Sequence, residues 1–202
     1  EVIEVMAREK KICRYLDIPF QHISDNQLTA MKRRHTKADA LSLIEKLRKA
    51  IPDIALRTTL LVGYPGESDA DFEELKEFVR TVQFDRLGVF AYSEEEGTYS
   101  ATRLKDDVEE EVKHERVDRI MRLQERISLE NNAKRVGQIM SVIIDRKEGD
   151  FYIGRSEYDS PEVDQEIVID SCGKRLYRGR FYDVKITDCE DYDLYASLVC
   201  VD

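Results

Sequence analysis

The strongest constraint on how this chain can fold is a change of texture near Lys134. Before it, the apolar runs Ile12–Phe20, Ala55–Val62 and Arg86–Tyr92 alternate with helix-forming segments. Strands separated by helices of that length build βαβ units and a parallel sheet. After it come only short β runs: VGQIMSVIID, DFYIGRS, EIVID, YDVKIT and LYASLV. Turn signals separate them at Glu148-Gly149-Asp150, Ser160-Pro161, Cys172-Gly173-Lys174 and Glu190-Asp191. Such spacing predicts a small five-stranded antiparallel barrel of the oligonucleotide-binding type. The fold class is therefore α/β plus all-β, with an α/β part over 1–133 and a β-barrel over 134–202.

Helix starts are marked by three capping boxes, Ser24 with Gln27, Thr36 with Asp39 and Ser68 with Asp71. In each, a hydroxyl accepts from the third backbone N–H and the later side chain reaches back. Leu41, Ile44, Leu47 and Ile51 fall on one stripe, as do Phe72, Leu75, Phe78 and Val79. From Asp106 to about Lys134 the chain reads as one connecting helix, with Val117, Ile120, Met121, Gln124 and Ile127 as its buried stripe. At 1.5 Å per residue it spans about 40 Å.

The net charge of −10 argues against a general affinity for nucleic acid. No apolar run is long enough for a membrane helix, so a cytoplasmic protein without membrane partners is expected. The chain opens without methionine, in what reads as mid-helix (EVIEVMAREKK), as a fragment of a longer polypeptide would. Cys13, Cys172, Cys189 and Cys200 are too scattered for a metal clip, so no metal site is expected. Cys13 is read as a small core residue of a strand, and the other three as buried or free thiols.

In YLDIPFQHIS, Leu16, Ile18 and Phe20 alternate with Asp17 and Gln21. A strand sends alternate side chains to opposite faces, which puts Asp17 and Gln21 together. The run LVGYPGES ends a strand at Gly63, where the backbone is open to close approach. RLGVFAYS sends Leu87, Val89 and Ala91 one way and Gly88, Phe90 and Tyr92 the other. The carboxyl edge of a parallel barrel is where active sites are built. An interior with Asp17, Gln21, Arg57, Phe90 and Tyr92 would be a cavity for an extended, partly charged ligand. His22, His35 and His114 are read as making local hydrogen bonds.

Three motifs in order, YLDIPFQHISDNQLTAMKRRHT, TTLLVGYPGESDADFEEL and FDRLGVFAYSEEEGTYSA, closely resemble the radical S-adenosylmethionine methylthiotransferases. Their detail is similar to the RimO branch, which acts on ribosomal protein S-twelve, and the tail resembles the TRAM domain. The resemblance implies a partial TIM-like barrel holding S-adenosylmethionine and a 4Fe-4S cluster. A 5′-deoxyadenosyl radical would take hydrogen from an aspartate β-carbon, with sulfur supplied through a second cluster in an upstream domain. The cluster motif CxxxCxxC is absent here, so the fragment is expected to be inert, with no catalytic residue of its own.

The resemblance further implies that Gln21 binds ribose or the amino acid of S-adenosylmethionine and Arg57 its carboxylate. Gly63 would lie against the adenine or ribose, Phe90 or Tyr92 would stack on it, and Asp17 would line the same space. Glu94–Glu96 overhang the expected mouth and suit a basic protein loop. The alternatives are a tRNA methylthiotransferase, a non-catalytic RNA-binding module carrying Tyr177, Arg178, Arg180 and Phe181, and a barrel hydrolase or aldolase using Asp17 and His22.

Overall fold

The structure, a computed structural model, describes residues 1–199. Its elements run α1 (Val2–Arg8), β1 (Tyr15–Asp17), α2 (Asp25–Ala30), α3 (Lys37–Ala50), β2 (Ala55–Val62), α4 (Asp69–Val82), β3 (Arg86–Ala91), α5 (Tyr99–Arg103) and α6 (Glu110–Ala133). Then follow β4 (Ile139–Glu148), β5 (Phe151–Arg155), β6 (Ile167–Asp170), β7 (Phe181–Cys189) and β8 (Leu194–Leu198). They form two compact units: Glu1–Arg8 with Leu16–Gln124, and Glu9–Tyr15 with the chain from Glu125 onward.

The first unit is built on a three-stranded sheet of order β1-β2-β3. β2 and β3 are parallel, from Arg57 opposite Arg86 to Val62 opposite Ala91. Along β2, Leu56, Thr58, Leu60 and Val62 are buried while Arg57, Thr59 and Leu61 are half-buried. Removing each such leucine from water contributes about 1.5–3 kcal/mol, so the alternation fixes which face turns to the core. Phe20, Phe78 and Phe84 pack there edge to face or tilted, with ring centroids 5.4–6.3 Å apart. Helix α3 buries Ala40, Ile44 and Leu47, whereas the expected stripe member Leu41 is exposed.

The long strand expected over Ile12–Phe20 is confined to Tyr15–Asp17. Pro19 has no N–H to offer a ladder, and the Phe20 N–H turns back to Ile18 O at 2.9 Å. Pairing resumes at Gln21, which donates to Thr59 O and accepts from the Leu61 N–H. The simple alternation therefore fails after Ile18, and Phe20, His22, Ile23 and Ser24 are all buried. Cys13 lies outside the strand and is exposed, contrary to its expected place in the core.

Two of the three capping boxes form, at Thr36–Asp39 and Ser68–Asp71. Ser24 makes no cap bond; its hydroxyl donates instead to Asp71 Oδ1 at 2.5 Å. Asp71 also accepts from the Ser68 N–H and hydroxyl and from Asn26. Tertiary demand has taken the serine from its own helix. Helix α6 begins at Glu110 rather than Asp106, and its buried stripe includes Lys113 and Arg116 besides Ile120, Leu123, Gln124 and Ile127.

In the second unit five strands close into a barrel of order β4-β5-β6-β8-β7. Met140, Val142, Ile144, Tyr152, Ile167, Ile169, Val184, Ile186 and Leu194 are among the residues that fill it. The barrel is not wholly antiparallel: β6 and β8 run parallel, with Ile167 opposite Leu194 and Asp170 opposite Ser197. An odd number of strands in a closed ring cannot alternate direction at every junction, so one pair must be parallel. Cys172 is exposed and Cys189 half-buried, and Cys200 lies outside the described residues.

Burial pushes the Asp71 carboxyl upward, but the bonds from Ser24, Ser68 and Asn26 outweigh it and hold it below the ordinary 3.8. A depressed carboxyl stabilises the fold above its unfolded pKa and loses that contribution as pH falls through the folded value. Asp71→Asn is therefore expected to be less stable than the native chain at neutral pH. In urea unfolding at a series of pH values, the gap should close as pH drops below about 4; a gap independent of pH would refute the assignment.

Candidate functional site

Opposite its helix-packed face, the sheet carries Asp17 from β1, Arg57 and Thr59 from β2, and Gly88 and Phe90 from β3. Arg57 Nη1 donates to Asp17 Oδ2 at 2.7 Å and to Thr59 Oγ1 at 3.3 Å. Gly88 lies between the charge and the ring: a Cβ there would sit 3.8 Å from Arg57 Nη2 and 3.7 Å from Phe90 Cε2. Phe90 is 59% exposed, large for an aromatic side chain on a parallel strand. This half of the expected interior is polar and aromatic as the alternation predicts. Tyr92 departs from it. It is only 6% exposed and stacks edge to face on Tyr64, with centroids 5.1 Å apart.

Gln21 and Gly63 stand at the carboxyl edge, both with left-handed backbone (φ 66° and 73°). Glu67, whose side chain is fully buried, bonds Gly63 and the residue that follows Gln21. Glu67 Oε2 accepts the Gly63 N–H and the Arg116 guanidinium at 3.0 Å, and Oε1 meets His22 Nε2 at 3.1 Å. The ring is held from its other side by the Ser24 N–H, 3.0 Å from Nδ1. Because that N–H donates, Nδ1 is the acceptor, and Nε2 carries the proton given to Glu67. His114 makes the local bond expected of it, to Glu110 O. His22 makes one to Ser24 but also reaches Glu67, 45 residues away, and His35 instead packs its ring edge to face against Phe20.

Lys113 completes the edge from α6. Its aliphatic stem fills the space that a side chain at Gly63 would need, with Cγ 2.2 Å from a Cβ built there. Its ammonium pairs with Asp106 and Glu110, each at 2.6 Å, and lies 5.4 Å from the Tyr92 ring centroid. Burial alone would lower the Lys113 pKa, but the two carboxylates outweigh it and hold it above the usual value. Sequence reading missed Glu67, Arg116 and Lys113 as site residues. A signal existed: Lys113 and Arg116 occupy positions i and i+3 on the stripe that continues through Ile120, where apolar residues are expected.

The described residues contain no group of three or more His, Cys, Asp or Glu able to hold a metal ion. Cys13 and Cys172 are free and exposed. Burial, with Asp188 and Asp191 nearby, pushes the Cys189 thiol up, away from the thiolate that a cluster ligand must be. The described residues therefore do not fit an iron–sulfur cluster.

Two family models match, the radical SAM superfamily over residues 1–79 and the TRAM domain over 136–199. The first covers β1, β2 and the Gly63–Glu67 turn; the second covers the barrel. The ribosomal protein uS12 methylthiotransferase RimO of Bacteroides thetaiotaomicron is 54% identical over 98% of this chain and 46% of its own length. Those of Phocaeicola vulgatus (98% of this chain, 46% of its own length) and Christiangramia forsetii (98% and 44%) are 53% and 52% identical. Over nearly its whole length the chain is similar to RimO-type radical SAM proteins. It spans about half the length of the curated relatives it matches. Among solved structures, coproporphyrinogen III oxidase (HemN) from Escherichia coli is 14% identical with a TM-score of 0.45, over 71% of this chain and 41% of that one, too loose a likeness to argue from.

Gly63→Ala should destabilise the chain by about 2–4 kcal/mol, since it combines left-handed strain with overpacking against Lys113. Chemical denaturation of Gly63→Ala, Lys113→Ala and the double variant tests the cause. The two losses should be clearly less than additive if Lys113 fills that space.

Proposed function

We propose that this chain is the carboxy-terminal portion of a methylthiotransferase whose substrate is the β-carbon of an aspartate in a small-subunit ribosomal protein. The observation that carries the reading is 54% identity over 98% of the chain to a protein named for that activity. S-adenosylmethionine with a 4Fe-4S cluster supplies the radical chemistry in such enzymes. The cluster ligands, and those of a second cluster, belong outside these residues, and the chain alone is inert. No described helix is long and apolar enough to cross a membrane, which is compatible with a cytoplasmic enzyme working on ribosomal protein.

Within that reading, the chain contributes the later wall of the cofactor site. Gln21 at the strand edge offers an amide donor and acceptor. Arg57, aligned by Asp17 and Thr59, presents a planar guanidinium suited to a carboxylate. Phe90 supplies an exposed ring for stacking. Gly63, expected to be open to close approach, instead has that side filled by the Lys113 stem and its N–H taken by Glu67, so it shapes the edge rather than lying against the ligand. In the full-length enzyme, Gln21→Ala and Arg57→Ala should each weaken S-adenosylmethionine binding about 10- to 100-fold, the loss of one charge-assisted hydrogen bond. Unchanged affinity in both would remove them from the site.

Reconstituted anaerobically with iron and sulfide, the 202-residue chain should take up no stable cluster, because its cysteines cannot present three thiolates to one cluster. A stoichiometric cluster would contradict this.

For the partner, the charge balance favours a basic protein. Residues 134–202 hold ten Lys and Arg against fifteen Asp and Glu, a net of −5, and the rest holds twenty-two against twenty-seven, also −5. Arg146 is bound on both terminal nitrogens by Glu166 and through Nε by Glu148, and Arg155 pairs with Asp145, so the barrel's cations are partly neutralised from within. One observation favours RNA instead: Tyr177 and Phe181 are exposed among Arg175, Arg178 and Arg180. At low salt the chain should bind the basic ribosomal protein, with affinity falling as salt rises, and bind tRNA more weakly. A preference for tRNA measured side by side would transfer the assignment to a tRNA-modifying relative or an RNA-binding module.

A further inference from the structure

Gln21 is one of five non-glycine residues with left-handed backbone among those described, and it sits between the kink at Pro19 and a fully buried histidine. Such a conformation persists in a residue with a side chain only where the surroundings over-determine it. Here the determinants are explicit. The strand ladder grips Gln21 on one side, through Thr59 O and the Leu61 N–H. On the other, the next residue, His22, is pinned by the Ser24 N–H and by Glu67. The same carboxylate holds the N–H of Gly63 and the guanidinium of Arg116. One buried group thus sets the backbone at both edge positions.

We propose that His22 is a positioning residue: through its Nε2–H bond to Glu67 it holds Gln21 in register with Gly63, so that the edge of the site is shaped for its ligand. This rests on the reading that the edge binds S-adenosylmethionine. His22 itself is buried away from solvent, so it acts through Gln21 rather than by touching the ligand. The imidazole performs two separate tasks, accepting at Nδ1 and donating at Nε2. Two substitutions divide them. His22→Asn keeps an acceptor near the Nδ1 position and loses the reach to Glu67, whereas His22→Gln keeps a donor near the Nε2 position. Glu67→Gln attacks the bond from the other end, because its amide presents a donor to one of three groups that are themselves donors.

The first measurement is made on the 202-residue chain. Nitrogen-15 spectra of the His22 ring should show a protonated Nε2 and an unprotonated Nδ1; the opposite tautomer would overturn the proposal, because the ring could not then donate to Glu67. The second is made on the full-length protein bearing this sequence, by equilibrium binding of S-adenosylmethionine with melting temperatures in parallel. His22→Gln should bind within about threefold of the native protein, while His22→Asn and Glu67→Gln should bind at least about tenfold more weakly. A merely structural histidine would give affinities that follow the melting temperatures, with Gln and Asn weakened alike, and that result sinks the idea. Equal native affinity in all variants also sinks it and leaves the cofactor reading standing. Absence of binding by the native protein would remove the cofactor reading, and this role with it.

Discussion

The carboxylate of Glu67 is the point on which the first unit's working edge depends. A charge withdrawn from water costs several kcal/mol unless it is paired and its lone pairs are filled. Glu67 meets that condition with three donors from three places: the Gly63 backbone, the His22 ring and the Arg116 guanidinium. Each donor comes from a different segment, so the stretch after β1, the turn after β2 and helix α6 are brought to one atom group. Removing any donor would leave buried charge under-satisfied, which ties the local backbone geometry to the fold as a whole.

The open face of the sheet follows a different logic. Asp17, Arg57 and Thr59 satisfy one another beside Gly88 and an exposed Phe90. A parallel sheet is ordinarily covered on both faces. Here the described residues leave one face lined by a charge pair and an aromatic ring, an arrangement that suits a ligand better than a helix.

Much of this was readable in the amino-acid order. β2 was bounded correctly because its alternation of Leu56, Leu60 and Val62 with Arg57 and Thr59 is strict, and two capping boxes formed as their residue types require. The failures have physical causes. A proline broke β1 where alternation alone would have continued it. Ser24 was drawn into a bond with Asp71, forty-seven residues away, which no local signal announces. Glu67, Lys113 and Arg116 gain their significance from burial against each other's elements, and only the place of the two cations on the apolar stripe of α6 hints at it. Candidate residues on the strands (Asp17, Arg57, Phe90) were placed on one face by period alone. Those at the edge (Gln21, Gly63) owe their conformation to groups distant in sequence.

The parallel junction in the barrel bears on how the protein is made. Strand β8 lies between β6 and β7, so the ring has a gap until Leu194–Leu198 are present. While the ribosome is still adding those residues, the edges of β6 and β7 are unpaired and their apolar inner faces uncovered. Emerging from the exit tunnel, this segment can close the ring only after leaving a vectorial queue in which every other strand precedes it. Non-local closure of this kind is slow, and an open strand edge is prone to pairing with other chains. The nascent barrel is thus most exposed to mispairing in the interval before its final strand arrives.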